Sequence, residues 1–184
     1  QAVSKIPITV WCLLVRLVKR LPTPLHQYLN TNFSLPGILA GVPSPFQKVA
    51  LPSEIDPKNI KSISASTNNF LILLHDGTVY AYAMTFPSLN GAGLTATTKG
   101  FTKVLVSSNT PLANIDQIEA TSGGSIAADV TNNKIYTWGN QVYLGNGSAA
   151  SNRNFATEMT NPLTGGTGIA MIDATYNASM TYLV

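Results

Sequence analysis

The residues that could carry out acid–base or nucleophilic chemistry are few and far apart in this sequence. His75 and Asp76 are adjacent, but they precede Gly77 in a turn-like segment, and no Ser or Cys nucleophile stands in a recognisable elbow. The other histidine, His26, and the single cysteine, Cys12, do not complete a zinc-binding pattern. The remaining aspartates do not have the spacing of a calcium loop. The sequence therefore predicts no catalytic residues, no metal site and a chain that is not an enzyme.

Two glycine-rich segments could suggest a phosphate-binding loop. Gly91-Ala92-Gly93 and Gly145-Asn146-Gly147 each follow a strand-like run, but no helix begins after them. We therefore predict no cofactor. Glycines at such places supply the positive φ angles with which a chain leaves a strand or turns between strands. The glycines to which we assign this structural role are Gly77, Gly139, Gly145 and Gly147.

Short elements of the sequence recur at a nearly constant spacing. Phe46, Phe101 and Phe155 each begin a similar run, and their numbers differ by 55 and then by 54. A second signature follows each phenylalanine, at Ile60–Ala65, Ile115–Ala120 and Ile169–Ala174. A fixed period of this length indicates a repeat architecture.

Each unit contains β-branched and aromatic runs separated by Gly, Asn, Asp and Pro, which predicts strands of about 4–6 residues joined by turns. Asp76-Gly77 and Asn132-Asn133 lie between two such runs, where a tight hairpin turn requires positive φ. Further predicted strands are Phe70–Leu74, Val79–Tyr82, Ile135–Trp138 and the outer or connecting strands Phe46–Leu51, Phe101–Val106 and Phe155–Thr160. We predict an all-β fold, a partial β-propeller of four-stranded blades with a period of about 55 residues.

The stretch from Ile115 to Gly147 resembles the repeat of the regulator of chromosome condensation family. That repeat runs through a strand, a turn and a strand ending in Trp-Gly to a loop with Leu-Gly-x-Gly. The matching residues are Trp138, Gly139, Leu144, Gly145 and Gly147. The first unit departs from it, since Tyr82-Ala83 replaces Trp-Gly and Asn90-Gly91-Ala92-Gly93 replaces Leu-Gly-x-Gly. The resemblance covers roughly residues 46–184 and implies propeller blades, but not the exchange activity of the founding member, which depends on a complete propeller.

The repeats divide the chain after residue 45. Residues 46–184 are predicted to form propeller-like repeats at 46–100, 101–154 and 155–184, the last of them truncated. This amounts to about two and a half blades, whereas closed propellers have ~4–8. We expect other chains, or residues outside this sequence, to complete the structure and to pair its edge strands.

Residues 1–45 are predicted to form an arm outside the blades. Residues 6–21 form an amphipathic helix with a basic face, and residues 22–45 form a Pro- and Gly-rich connector. This helix either packs on the chain's own body or docks on a partner or an anionic membrane surface. The residues expected to dock are Trp11, Leu14, Arg16, Leu17, Lys19 and Arg20.

Charge is scarce and unevenly distributed. Charged residues make up 10% of the chain, against ~25% in typical soluble domains. The whole chain has a net charge of +3. Residues 1–45 carry four bases and no acid, which leaves a net charge of −1 for residues 46–184. The repeats thus lack the basic stripe that tracks phosphates, and we predict no nucleic-acid partner.

These observations favour a non-enzymatic structural or protein-interaction module. The neutral polar surface suggests an extracellular, cell-surface or virion assembly, with other protein chains as partners. The alternative is an intracellular, cytoplasmic adaptor or guanine-nucleotide exchange factor of the chromosome-condensation-regulator type. A second alternative is a glycan-active enzyme in the propeller channel, which would require two closely placed carboxylates.

Overall fold

The computed structural model describes residues 50–96, 98, 100–145, 151–159, 168–174 and 180–183, the last four by their backbone alone. The chain divides into two compact units, Gln1–Asn59 and Ile60–Val184. The predicted arm and the run that begins at Phe46 lie outside the described residues, apart from positions 50 and 51. In the first unit, a short 3-10 helix at Pro57–Asn59 follows Asp56, whose Oδ1 accepts a hydrogen bond from the Lys58 N–H at 2.9 Å. No helix in the described ranges is long and apolar enough to span a membrane.

The second unit is built from antiparallel strands, which confirms the all-β prediction. A first sheet has the order β1 (Ile60–Ala65), β2 (Asn69–Leu74), β3 (Val79–Ala83) and β4 (Thr102–Lys103). Next along the chain comes a two-stranded hairpin of β5 (Leu105–Ser107) and β6 (Thr110–Pro111). A second sheet contains β7 (Gln117–Ala120), β8 (Gly124–Asp129), β9 (Lys134–Gly139) and β10 (Arg153–Glu158). The last described pair is β11 (Met171–Ala174) with β12 (Met180–Leu183).

Each four-stranded sheet takes its outer strand from the beginning of the following sequence unit. β4 comes from the run that begins at Phe101, and β10 comes from the run around Phe155. The sheets are therefore shifted along the chain relative to the repeats drawn at 46–100 and 101–154.

The single strand predicted over Phe101–Val106 is wrong, because the structure divides it at Val104. The Val104 N–H donates to the Val79 carbonyl at 2.9 Å, which keeps this residue on the first sheet. Its own carbonyl accepts from the Leu112 N–H at 2.9 Å, which directs the chain into the β5–β6 hairpin. This hairpin has no counterpart among the predicted elements.

One hydrophobic core joins the two four-stranded sheets. Leu71, Leu73 and Val79 of the first sheet belong to the same buried cluster as Ile118 and Trp138 of the second. The connection between the two sheets contributes three further residues to this cluster, Val104, Leu112 and Ile115. Because this cluster takes residues from both sheets, the two sheets stabilise each other.

The hydrogen bonds between neighbouring sheets repeat with the period of the sequence. The Ser64 hydroxyl donates to Glu119 Oε2 at 2.8 Å, and Gln117 Oε1 accepts from the Ile172 N–H at 2.9 Å. In both cases the two residues are 55 positions apart. The innermost strands β1, β7 and β11 thus lie next to one another, as the blades of a propeller require.

Candidate functional site

The structure describes three of the glycines that were assigned a turn role, and none of the predicted docking residues. Gly77, Gly139 and Gly145 have φ angles of 81°, 119° and 65°. Gly147 lies outside the described residues. So do the six residues predicted to dock on a partner, Trp11, Leu14, Arg16, Leu17, Lys19 and Arg20.

Gly139 ends β9 where the second sheet meets a loop of the first. A Cβ atom at this position would lie 2.6 Å from the Gly123 carbonyl oxygen and 2.8 Å from the Gly124 Cα. The preceding residue, Trp138, is fully buried and donates its Nε1–H to the Leu89 carbonyl at 3.0 Å. The Trp-Gly pair is therefore a packing element between blades.

The adjacent His75 and Asp76 lie in the exposed turn between β2 and β3. Asp76 Oδ1 accepts a hydrogen bond from the Thr78 N–H at 2.9 Å. This bond stabilises the carboxylate and lowers the pKa of Asp76 below its usual value of 3.8. Within the described ranges, no group of three His, Cys, Asp or Glu side chains could hold a metal ion.

Antiparallel pairing brings two sets of loops to the same edge of the sheets. The chain leaves this edge after the first and third strands of each sheet. The described residues there are 66–68, 84–96, 98, 100 and 101 in the first sheet and 121–123, 140–145, 151 and 152 in the second. We call these residues the loop face. Asn68 Nδ2 donates to the Ser122 carbonyl at 3.2 Å, which joins the loops of the two sheets directly.

The described part of the loop face contains no charged residue. Its polar side chains are the neutral ones of Ser, Thr, Asn, Gln and Tyr. The opposite edge, by contrast, has Asp76 in the β2–β3 turn, Asp129 at the end of β8 and Lys134 at the start of β9. The described residues of the two edges therefore differ in charge.

Two large apolar side chains are exposed on the loop face. Phe86 is 38% exposed and Val142 is 65% exposed, and each lies in the loop that follows the third strand of its sheet. Sequence reasoning missed both residues. The signal that could have found them is their shared place, three residues after the ends of the runs VYAYA and KIYTWG.

Short helices hold these two loops in place. Phe86 precedes the 3-10 helix Pro87–Asn90, which begins with a proline and ends at Gly91 with φ 61°. Val142 lies in the 3-10 helix Gln141–Tyr143, where Asn140 Oδ1 accepts from the Val142 N–H at 3.2 Å. Asn152 Oδ1 accepts from the Gln141 N–H at 3.0 Å. The loop face is therefore a hydrogen-bonded surface.

Comparison with known proteins identifies similar structures. No family model and no curated protein matches the chain. Prp20p from Saccharomyces cerevisiae, a protein with binding properties to Gsp1p and histones, is 23% identical with a TM-score of 0.52, over 70% of this chain and 31% of that one. Yeast RCC1 (Prp20) bound to Kap60 is 22% identical with a TM-score of 0.54, over 70% of this chain and 30% of that one.

The chain thus spans about a third of the length of these structures. The likeness concerns the fold, and it agrees with the four-stranded sheets, their order and the contacts between neighbouring sheets. It confirms the partial propeller predicted from the repeats. The described residues of this chain have the RCC1-like β-propeller repeat fold.

Proposed function

We propose that this chain is a protein-interaction module, the blades of an intracellular adaptor that binds its protein partner through the loop face. The observation that carries the proposal is that the described residues of the loop face carry no charge, while Phe86 and Val142 are exposed among them. The similar structures support a protein partner, since Prp20p binds Gsp1p and histones and yeast RCC1 is bound to Kap60. They also favour the intracellular alternative over an extracellular or virion assembly, to which they give no support.

Burial of the exposed apolar surface of the loop face provides free energy for binding, and the hydrogen-bonded loops keep this surface in one conformation. Burial of apolar area contributes about 25 cal/mol per Å². A preorganised loop loses little conformational entropy on binding, so that more of this free energy remains as affinity. The described residues of the loop face carry no charged side chain, so that covering these residues desolvates no ion.

The carboxylates of Asp116 and Glu119 support a binding role over a catalytic one. Asp116 Oδ1 lies 3.4 Å from Lys61 Nζ, and Asp116 Oδ2 accepts from the Val130 N–H at 3.0 Å. Glu119 Oε2 accepts from the Ser64 hydroxyl at 2.8 Å. These carboxylates are engaged in contacts within the propeller, whereas a glycan-active site needs two carboxyl groups directed at a substrate.

The test is site-specific photo-crosslinking of the full-length protein in the cells that produce it. A photoreactive amino acid replaces Val142 in one variant, Phe86 in a second and Thr131 in a third. Thr131 is exposed in the turn after β8, at the opposite edge of the same sheet. We expect a discrete protein adduct from positions 142 and 86 and none from position 131.

A second substitution tests whether the crosslinked adduct depends on the loop face. Adding Phe86→Asp to the variant with the crosslinker at position 142 places a charge on the loop face and should abolish the adduct. An adduct that persists, or one that forms equally from position 131, would overturn the proposal. The yield of folded protein, measured for each variant by circular dichroism, separates loss of binding from loss of structure.

A further inference from the structure

We propose that the first blade binds one buried water molecule between β2, the end of β3 and the 3-10 helix Pro87–Asn90. The residues that would bind it are Ser66, Asn69, Ser88 and Asn90, which we call the polar pocket. Asn69 and Asn90 are both fully buried, and Ser88 is nearly so. Each residue of the polar pocket has a buried side-chain atom without a hydrogen-bond partner among the described residues.

The backbone contacts bring these four residues together. Asn69 of β2 stands opposite Ala83 of β3 in the sheet register. Asn90 Oδ1 accepts a hydrogen bond from the Ala83 N–H at 3.0 Å, and Ser88 precedes Asn90 by two residues in the same helix. The Ser66 N–H donates to the Asn69 carbonyl at 2.8 Å. All four residues therefore gather at the loop-face end of the first sheet.

The unpaired atoms match the hydrogen-bonding capacity of water. They are Ser66 Oγ, Asn69 Oδ1, Ser88 Oγ and Asn90 Nδ2. Asn69 Oδ1 can only accept, Asn90 Nδ2 can only donate, and the serine hydroxyls can do both. A water molecule donates two hydrogen bonds and accepts two, and buried waters in proteins typically make about three bonds to such groups.

Rotating the amide groups does not remove the need for a partner. Asn69 Nδ2 already donates to Ser125 Oγ at 2.6 Å and to the Gly124 carbonyl at 3.3 Å. An exchange of its nitrogen and oxygen would place an oxygen against that carbonyl. The same exchange in Asn90 would place an amide group against the Ala83 N–H, which now has an acceptor. The neighbours therefore fix both amide orientations as they stand.

The second blade provides an internal comparison, because the residues at the matching positions either form hydrogen bonds within their own blade or are apolar. Thr121, 55 positions after Ser66, accepts from the Gly124 N–H at 2.8 Å and donates to the Gly124 carbonyl at 3.1 Å through its hydroxyl. Gly124 stands 55 positions after Asn69, and the buried Leu144 stands 54 positions after Asn90. The departure of the first unit from the Leu-Gly-x-Gly signature at Asn90 thus coincides with the polar pocket.

The direct test is a crystal structure of the full chain at a resolution that shows ordered water. We expect a water oxygen within about 2.7–3.2 Å of at least three of the four unpaired atoms. No such water is expected beside Leu144 in the second blade. A structure in which Asn69 and Asn90 bond directly to each other, or in which the polar pocket is dry, would overturn the proposal.

Two variants distinguish a bound water from a merely polar core. Ser88→Ala removes one ligand and should leave the water in place on the other three atoms. Asn90→Leu gives the first blade the residue of the second blade and should expel the water and lower the Tm, because the Ala83 N–H also loses its acceptor. If Asn90→Leu does not fold, the Ser88→Ala structure still decides. Loss of the water there, with both asparagines unmoved, would show that the other three atoms do not hold it and would overturn the proposal.

Discussion

At the scale of single residues, Gly139 is a position where an added side chain would meet backbone atoms. Its φ of 119° lies in a region that favours glycine, and a Cβ would meet backbone atoms of Gly123 and Gly124. We predict that Gly139→Val destabilises the protein by roughly 1–3 kcal/mol through backbone strain alone. The contact with the backbone adds to this loss, because neither atom is the end of a flexible side chain. Chemical denaturation of wild type and variant measures the difference.

Gly100→Val is the matched control for this prediction. Gly100 also has a positive φ, of 152°, but nothing lies within 4 Å of a Cβ there. The difference between the two variants therefore isolates the close approach of Gly139 to the backbone of Gly123 and Gly124. Equal free energies of unfolding for both variants would contradict the role we assign to that approach.

The Asp76 carboxylate predicts a pH dependence of stability. Its pKa is lowered in the folded protein, first of all by the hydrogen bond from the Thr78 N–H. A group with a lowered pKa stabilises the fold above its ordinary, unfolded-state pKa of 3.8, and this contribution is lost as the pH falls through the lower folded pKa. We expect the stability of Asp76→Asn to fall less steeply than that of wild type below about pH 4, since the asparagine oxygen still accepts from Thr78. Parallel curves for the two proteins would exclude this contribution.

At the scale of the elements, the periodic signals predicted β1 completely and the starts of β7 and β11 to within two residues. β7 and β11 begin later than the runs at Ile115 and Ile169, because both isoleucines bond to a neighbouring turn. The Ile115 N–H donates to the Gly77 carbonyl at 3.2 Å, and the Ile169 N–H donates to Asn133 Oδ1 at 3.0 Å. The partners lie 38 and 36 residues away, so local patterns could not reveal these bonds. The shared position of Phe86 and Val142 is visible in the sequence, but their exposure is not, since exposure depends on what packs around a loop.

The contact between β1 and β7 gives an element-scale prediction. Ser64 is buried, and its hydroxyl both donates to Glu119 and accepts from the Ala120 N–H at 3.0 Å. Ser64→Ala leaves that N–H without its acceptor, which costs about 1–3 kcal/mol. Ser62→Ala, two residues earlier on the same side of β1, is the control and should cost much less. Urea denaturation measures both, and equal losses would contradict the bridging role of Ser64.

At the scale of the whole molecule, residues that contact each other across neighbouring blades are separated along the sequence by one repeat period. Lys61 and Asp116, Ser64 and Glu119, and Gln117 and Ile172 are each 55 positions apart and in contact. The repeat therefore predicted which residues would be neighbours, although not by which chemistry. That chemistry is an ion pair, a hydroxyl–carboxylate hydrogen bond and a side-chain amide in turn, because these three positions of the repeat carry different residue types. Repetition of the backbone fixes the fold, and the individual side chains distinguish one blade interface from the next.

The edges of the sheets provide the final prediction. The outer strand β10 is covered by the loop of the first blade, where the Gly93 N–H donates to the Asn154 carbonyl at 2.8 Å and Ala92 pairs with Phe155. Among the described residues, β12 pairs with β11 alone. A bare strand edge of this kind is a site of aggregation, so that we expect another strand or segment to cover it in the native protein.

Amide hydrogen exchange distinguishes a covered β12 from a bare one. In a two-stranded antiparallel pair, only alternate N–H groups are directed at the partner strand. If a further segment covers the outer edge, all four amides of Met180–Leu183 should exchange slowly in the full-length native protein. If the edge is bare, alternate amides should exchange quickly while their neighbours remain protected. The residues of β8, which pair on both sides with β7 and β9, are the reference for full protection. An alternating pattern in β12 would therefore contradict the prediction.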